Sequence, residues 1–120
     1  MAKILVVDDD QVTLEILKSA LEESNFQVLT ASDGLEALNK ARTEDPDLIL
    51  LDVILPKIQG YQVCRLLKFD EKYSHIPIVM LTGKTGEENK ATGLKTGADE
   101  YVTKPFDVAD IIKIVNEYLQ

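Results

Sequence analysis

Three consecutive acids, Asp8, Asp9 and Asp10, follow directly on the apolar run Lys3 to Val7, and a fourth, Asp52, ends the run Leu48 to Leu51. Further along, Thr82 follows the run Ile76 to Leu81, and Lys104 follows Glu100 to Thr103. Two carboxylates about 5 Å apart repel by roughly 3 kcal/mol at an effective dielectric near 20, so acids that converge in a fold require a cation. Hard oxygen ligands with room for water suit Mg2+. With that charge offset, a remaining carboxylate has the chemistry of an aspartyl nucleophile toward a phosphoryl group. A lysine, a hydroxyl and main-chain amides are the groups that stabilise the transferred charge. Each residue also has a plainer role: Asp10 as a helix cap, Lys104 in an ion pair, Thr82 in a strand-end hydrogen bond, Asp52 opening a turn.

Whether these groups meet depends on the elements that carry them. The run around Leu50 is apolar without alternation, which marks a strand covered on both faces, as in the centre of a parallel sheet. Strands are expected at Lys3 to Val7, residues 26–31, Leu48 to Asp52, residues 76–81 and Glu100 to Thr103. Helices are expected between them. The first spans residues 11–24, with Asp10 as cap, Leu14, Leu17 and Leu21 as its stripe, and Val12, Ile16 and Ala20 widening it. The second runs to about Thr43, with Asp33 and Glu36 as a capping box and Leu35, Leu38 and Ala41 toward the sheet. The third carries Tyr61, Val63, Cys64, Leu66 and Leu67. A fourth, residues 87–96, has a thin apolar face of Ala91 and Leu94. The last follows Asp107, with Val108, Ile111, Ile112, Val115 and Leu119 as its stripe.

Strands that alternate with helices predict a single-domain α/β fold over residues 1–120, a flavodoxin-like (βα)5 three-layer sandwich with parallel strand order 2-1-3-4-5. That order sets strands one and three side by side, so Asp8, Asp9 and Asp52 converge on one crevice, flanked by Thr82 and Lys104.

Composition narrows the function classes. The 120 residues carry a net charge of -8, which disfavours direct contact with nucleic-acid phosphates. Apolar runs of about five residues are too short to span a membrane, and the start leads into a strand rather than a secretory segment, which suggests the cytoplasm. The lone cysteine, Cys64, excludes an internal disulfide and reads as a buried helical filler.

Taken together, V-V-D-D-D at Val6 to Asp10, L-L-D-V-I-L-P at Leu50 to Pro56 with Gly60 following, L-T-G at Leu81 to Gly83, G-A-D-E-Y at Gly97 to Tyr101 and K-P-F at Lys104 to Phe106 resemble the receiver domain of two-component response regulators along the whole chain. The resemblance implies a phosphorylation-activated signalling switch rather than an enzyme in the ordinary sense. Asp52 would be the phosphoacceptor, and Asp8, Asp9, Asp52 and the main-chain carbonyl of Ile54 would hold Mg2+. Thr82 and Lys104 would bind the phosphoryl group, with main-chain groups of Val53, Ile54 and Gly83. Thr82 and Tyr101 would form the switch, with Tyr101 on the solvent side of strand five. The implied partners are a sensor histidine kinase or phosphotransfer protein, and an output domain or a second copy docking on residues 87–96, strand five and the last helix. Ile54 and Lys84 stand where the family tunes hydrolysis of the phosphoryl group, and the apolar Ile54 implies slow autodephosphorylation. Two alternatives stay open: an interaction domain that works without phosphorylation, and a haloacid-dehalogenase-like phosphohydrolase in which Asp8-Asp9-Asp10-Gln11-Val12 supplies Asp8 as nucleophile and Asp10 as acid.

Overall fold

The side chains of a strand alternate between its two faces, so the unbroken apolar runs of this chain must feed two separate cores. A computed structural model describes residues 1–83 and 97–120 and shows that arrangement; the helix expected at residues 87–96, and Lys84, lie outside the described residues. The described elements are β1 (Lys3–Val7), α1 (Gln11–Glu23), β2 (Gln27–Ala31), α2 (Gly34–Glu44), β3 (Leu48–Asp52), α3 (Gly60–Lys68), β4 (Ile78–Thr82), β5 (Glu100–Thr103) and α4 (Val108–Leu119). All strand pairings are parallel, and the sheet order is β2-β1-β3-β4-β5, the flavodoxin-like order expected.

On one face Leu5, Val7, Ile49, Leu51, Ile78 and Met80 pack against α2 and α3. On the other Ile4, Val6, Leu48, Leu50, Val79 and Leu81 pack against α1 and α4. These layers leave every residue of β3 and β4 buried. Among the described residues no helix is long and apolar enough to cross a membrane.

Helix boundaries follow the caps. Asp10 accepts from the Val12 amide at 3.2 Å, Asp33 from Glu36 at 2.7 Å and Asp107 from Ala109 at 3.0 Å, each satisfying a first-turn donor without an intrahelical partner. Glu36 reaches back to the amide of Ser32, at 2.8 Å, one residue earlier than a regular capping box.

The apolar stripes are narrower than expected. Val12 and Ile16 are 65% and 50% exposed, and Leu35 is 46% exposed. At about 100° per residue, Val12 and Ile16 lie across the helix from Leu14, Leu17 and Leu21, so burying one set exposes the other. β4 starts two residues later than the apolar run suggested, at Ile78, and takes in Thr82. Pro77 has no amide proton to give the ladder and contributes only its carbonyl, which accepts from Ile49 at 3.0 Å.

Candidate functional site

Register decides where the carboxylates go. Val7 pairs with Leu51, Asp52 with Leu81 and Thr82 with Thr103, so Asp8, Asp52, Thr82 and Lys104 all emerge at the carboxyl edge of the sheet. Asp8 is fully buried; its amide donates to the Ala31 carbonyl at 3.1 Å and one carboxylate oxygen accepts from the Asp10 amide at 2.9 Å. Asp9 is exposed. Asp52 is buried at the end of β3, and Asp8, Asp9 and Asp52 each offer a carboxylate oxygen within 4.8 Å of the others. Lys104 bridges the two buried acids, with Nζ 2.8 Å from Asp8 Oδ2 and 3.5 Å from Asp52 Oδ1.

The electrostatics are those of a site short of positive charge. Burial first, and then the charge of Asp8, push the Asp52 carboxyl up to about 6, against the pull of Lys104. Burial works against the Lys104 ammonium, but its hydrogen bond to Asp8 and the charges of Asp52 and Asp8 outweigh that and raise its pKa above the ordinary lysine value. One ammonium facing three carboxylates leaves a net deficit of about two charges, which a divalent cation offsets, and the all-oxygen donor set fits Mg2+. Asp10 is otherwise engaged. Its carboxylate caps α1 and accepts from the Thr13 hydroxyl at 2.7 Å, and the Thr13 and Val12 hydrogen bonds hold its pKa below the usual carboxylate range. The hydrolase alternative needed Asp10 as a free acid.

The remaining expected residues divide. Thr82 is the buried last residue of β4, and its carbonyl accepts from the Lys104 amide, which fixes the β5 end against β4. Ile54 and Gly83 follow β3 and β4 into the loops, with Ile54 53% exposed. Val53 departs from expectation. Its amide donates to the Leu81 carbonyl at 3.0 Å and so belongs to the sheet ladder rather than to an anion cradle. Tyr101 is also placed differently: it pairs with Met80 on β5 and is half-buried against the α3-side core, close enough to Tyr61 to raise the pKa of that phenol. From the sequence Tyr61 was placed only among the residues of the third helix. Its position directly after Gly60, in the first turn of α3, was the available signal.

The loop from β3 into α3 is shaped by backbone contacts. The Gly60 amide donates to the Val53 carbonyl at 2.8 Å, and a Cβ on Gly60 would lie 2.0 Å from the Asp52 carbonyl oxygen, so no other residue fits there.

Comparison with known proteins agrees with this geometry. Residues 4–116 match the response regulator receiver domain family. The chain is 51% identical over 109 residues to the alkaline phosphatase synthesis transcriptional regulatory protein PhoP of Bacillus subtilis, covering 91% of this chain and 45% of that protein. Protein PilH of Pseudomonas aeruginosa is 39% identical over 119 residues, covering 99% of this chain and 98% of PilH. The structure of the Vibrio cholerae chemotaxis protein CheY4 superposes with a TM-score of 0.91 at 34% identity, over 99% of both chains. The chain spans about half the length of the first curated relatives it matches. With its fold, its paired acids and its matched length in agreement, this chain belongs to the response regulator receiver domain family.

Proposed function

We propose that residues 1–120 form a receiver domain that accepts a phosphoryl group on Asp52 from the phosphohistidine of a sensor histidine kinase or phosphotransfer protein. The observation that carries this reading is the convergence of Asp8, Asp9 and Asp52 within 4.8 Å, with Lys104 reaching across them. In the transfer, a carboxylate oxygen of Asp52 attacks phosphorus, the phosphorus–nitrogen bond breaks, and its electron pair returns to the donor imidazole. Asp8, Asp9, Asp52 and the Ile54 carbonyl would hold Mg2+, which would supply the charge neutralisation that lets two anions approach.

The chain's own groups do the rest. Lys104, already poised between Asp8 and Asp52, turns its ammonium to the phosphoryl oxygens, and the Thr82 hydroxyl and the amides of Ile54 and Gly83 complete the anion site. Ile54, apolar and exposed two residues after the acceptor, hinders the approach of water and favours slow autodephosphorylation. The docking partner approaches over exposed apolar surface close to the acids, where Val12 follows Asp9 by three residues and Ile54 follows Asp52 by two.

Phosphorylation draws Thr82 and Lys104 inward, and Tyr101 follows from its place beside Tyr61. The face that includes β5 and α4 then changes its preference for an output domain or a second copy of the chain by population shift. The setting is the cytoplasm, in keeping with a single buried thiol, Cys64.

Intact mass before and after incubation with a small phosphodonor and Mg2+ tests the reading. Wild type should gain one phosphoryl group and Asp52→Asn none. Modification of Asp52→Asn together with its loss in Asp8→Asn would overturn it.

A further inference from the structure

The loop between β3 and α3 carries Ile54, whose amide and carbonyl the proposed function uses, and the structure shows what holds that loop in shape. Its ends are closed by the Gly60 amide on the Val53 carbonyl, and Leu55 is buried in the α3-side core. Its apex is a three-residue turn. The Ile58 amide donates to the Pro56 carbonyl at 2.8 Å across Lys57, whose φ is 70, a left-handed conformation that costs a side chain of this kind energy. A strained turn persists only where its surroundings over-determine it. Here the surroundings are the first residues of α2, an element with no side chain in the acidic cluster. The Gly34 amide donates to the same Pro56 carbonyl at 3.1 Å, and the Ile58 carbonyl oxygen lies so close that a Cβ on Gly34 would sit 1.9 Å from it. Lys57 Nζ reaches the α2 cap, Asp33, at 3.5 Å.

We propose that Gly34 is a positioning residue for the phosphoryl site: by admitting the Pro56–Ile58 turn against the N-terminus of α2, it sets the backbone from Val53 to Ile58 and thereby the main chain of Ile54. The proposal rests on phosphorylation of Asp52. Any side chain at 34 must push the Ile58 carbonyl outward by more than 1 Å to reach ordinary contact, and displacements of that size near a reacting group slow reactions by up to about 100-fold.

The test is the rate of Asp52 phosphorylation by acetyl phosphate with Mg2+, followed by intact mass, in wild type, Gly34→Ala and Ala41→Gly. Ala41 is fully buried in the same helix, so its variant loses α2 stability without touching the loop. At a temperature where all three are folded by circular dichroism, Gly34→Ala should react at least about tenfold more slowly than wild type and Ala41→Gly within about twofold of it. An equal rate in wild type and Gly34→Ala overturns the proposal, as does equal slowing in both variants. If wild type itself gains no phosphoryl group on Asp52, the underlying reading fails and the proposal falls with it. Should Gly34→Ala not fold, Asp33→Ala loosens the same contact and keeps the glycine. It should slow transfer by about threefold, with the cap-preserving Asp33→Asn recovering the rate, and a wild-type rate in Asp33→Ala overturns the proposal.

Discussion

Replacing Asp52 by asparagine in metal-free protein isolates what its charge does to the fold. The folded protein holds this carboxyl at about 6, against 3.8 for the free group, because burial and the Asp8 charge disfavour ionisation. At 1.36 kcal/mol per pKa unit, the shift amounts to about 3 kcal/mol. The folded pKa lies above the unfolded one, so the contribution is fully present below about pH 4 and is lost as pH rises through about 6. Asparagine has nothing to lose over that range. The stability difference between Asp52→Asn and wild type in EDTA should therefore grow in favour of the variant by about 2 kcal/mol between pH 4 and 7.5, since part of the shift is already spent at pH 4, and acids that titrate alike in both proteins cancel. Urea unfolding measures this. With a slope of about 2 kcal/mol per molar, the two midpoints should separate by roughly 1 M more at the higher pH. Saturating Mg2+ should shrink the gap, since the wild type recovers most from a cation. A difference that stays constant between the two pH values would refute the placement of Asp52 as a buried charge beside Asp8.

Other outcomes follow from packing and pairing. Leu17→Ala, which empties a fully buried site, should cost about 2–5 kcal/mol by urea unfolding, whereas Ile16→Ala on the exposed side of α1 should stay within about 0.5 kcal/mol. Lys104→Met strands the buried Asp8 carboxylate and should cost at least about 3 kcal/mol in EDTA, with Asp8→Asn in the same chain restoring most of it; a loss below about 1 kcal/mol would show that the 2.8 Å pair is not what holds Asp8. The Tyr61 phenol is raised above its usual pKa first by burial and then by Tyr101, so Tyr101→Phe should bring its ionisation, followed by ultraviolet absorbance, back toward the ordinary value.

Much of this molecule is legible in one dimension. Unbroken apolar runs ending in acids announce buried parallel strands with a polar edge, and Asp10, Asp33 and Asp107 mark three helix starts because a cap bonds within three residues of itself. The candidate site was legible as residue types at strand ends that the expected strand order brings to one crevice, but the individual contacts among them were not. Contact between Asp8 and Lys104 spans 96 residues and depends on the register of four strands, which non-local hydrogen bonding sets. The same non-local pairing takes the Val53 amide into the sheet, turns Tyr101 inward to Tyr61, and presses Gly34 onto the Ile58 carbonyl. Periodicity assigned Val12, Ile16 and Leu35 to the core because hydrophobicity is a property of a residue. Burial is a property of its neighbours: a helix resting on one sheet covers only the stripe that faces it, so these three remain in solvent.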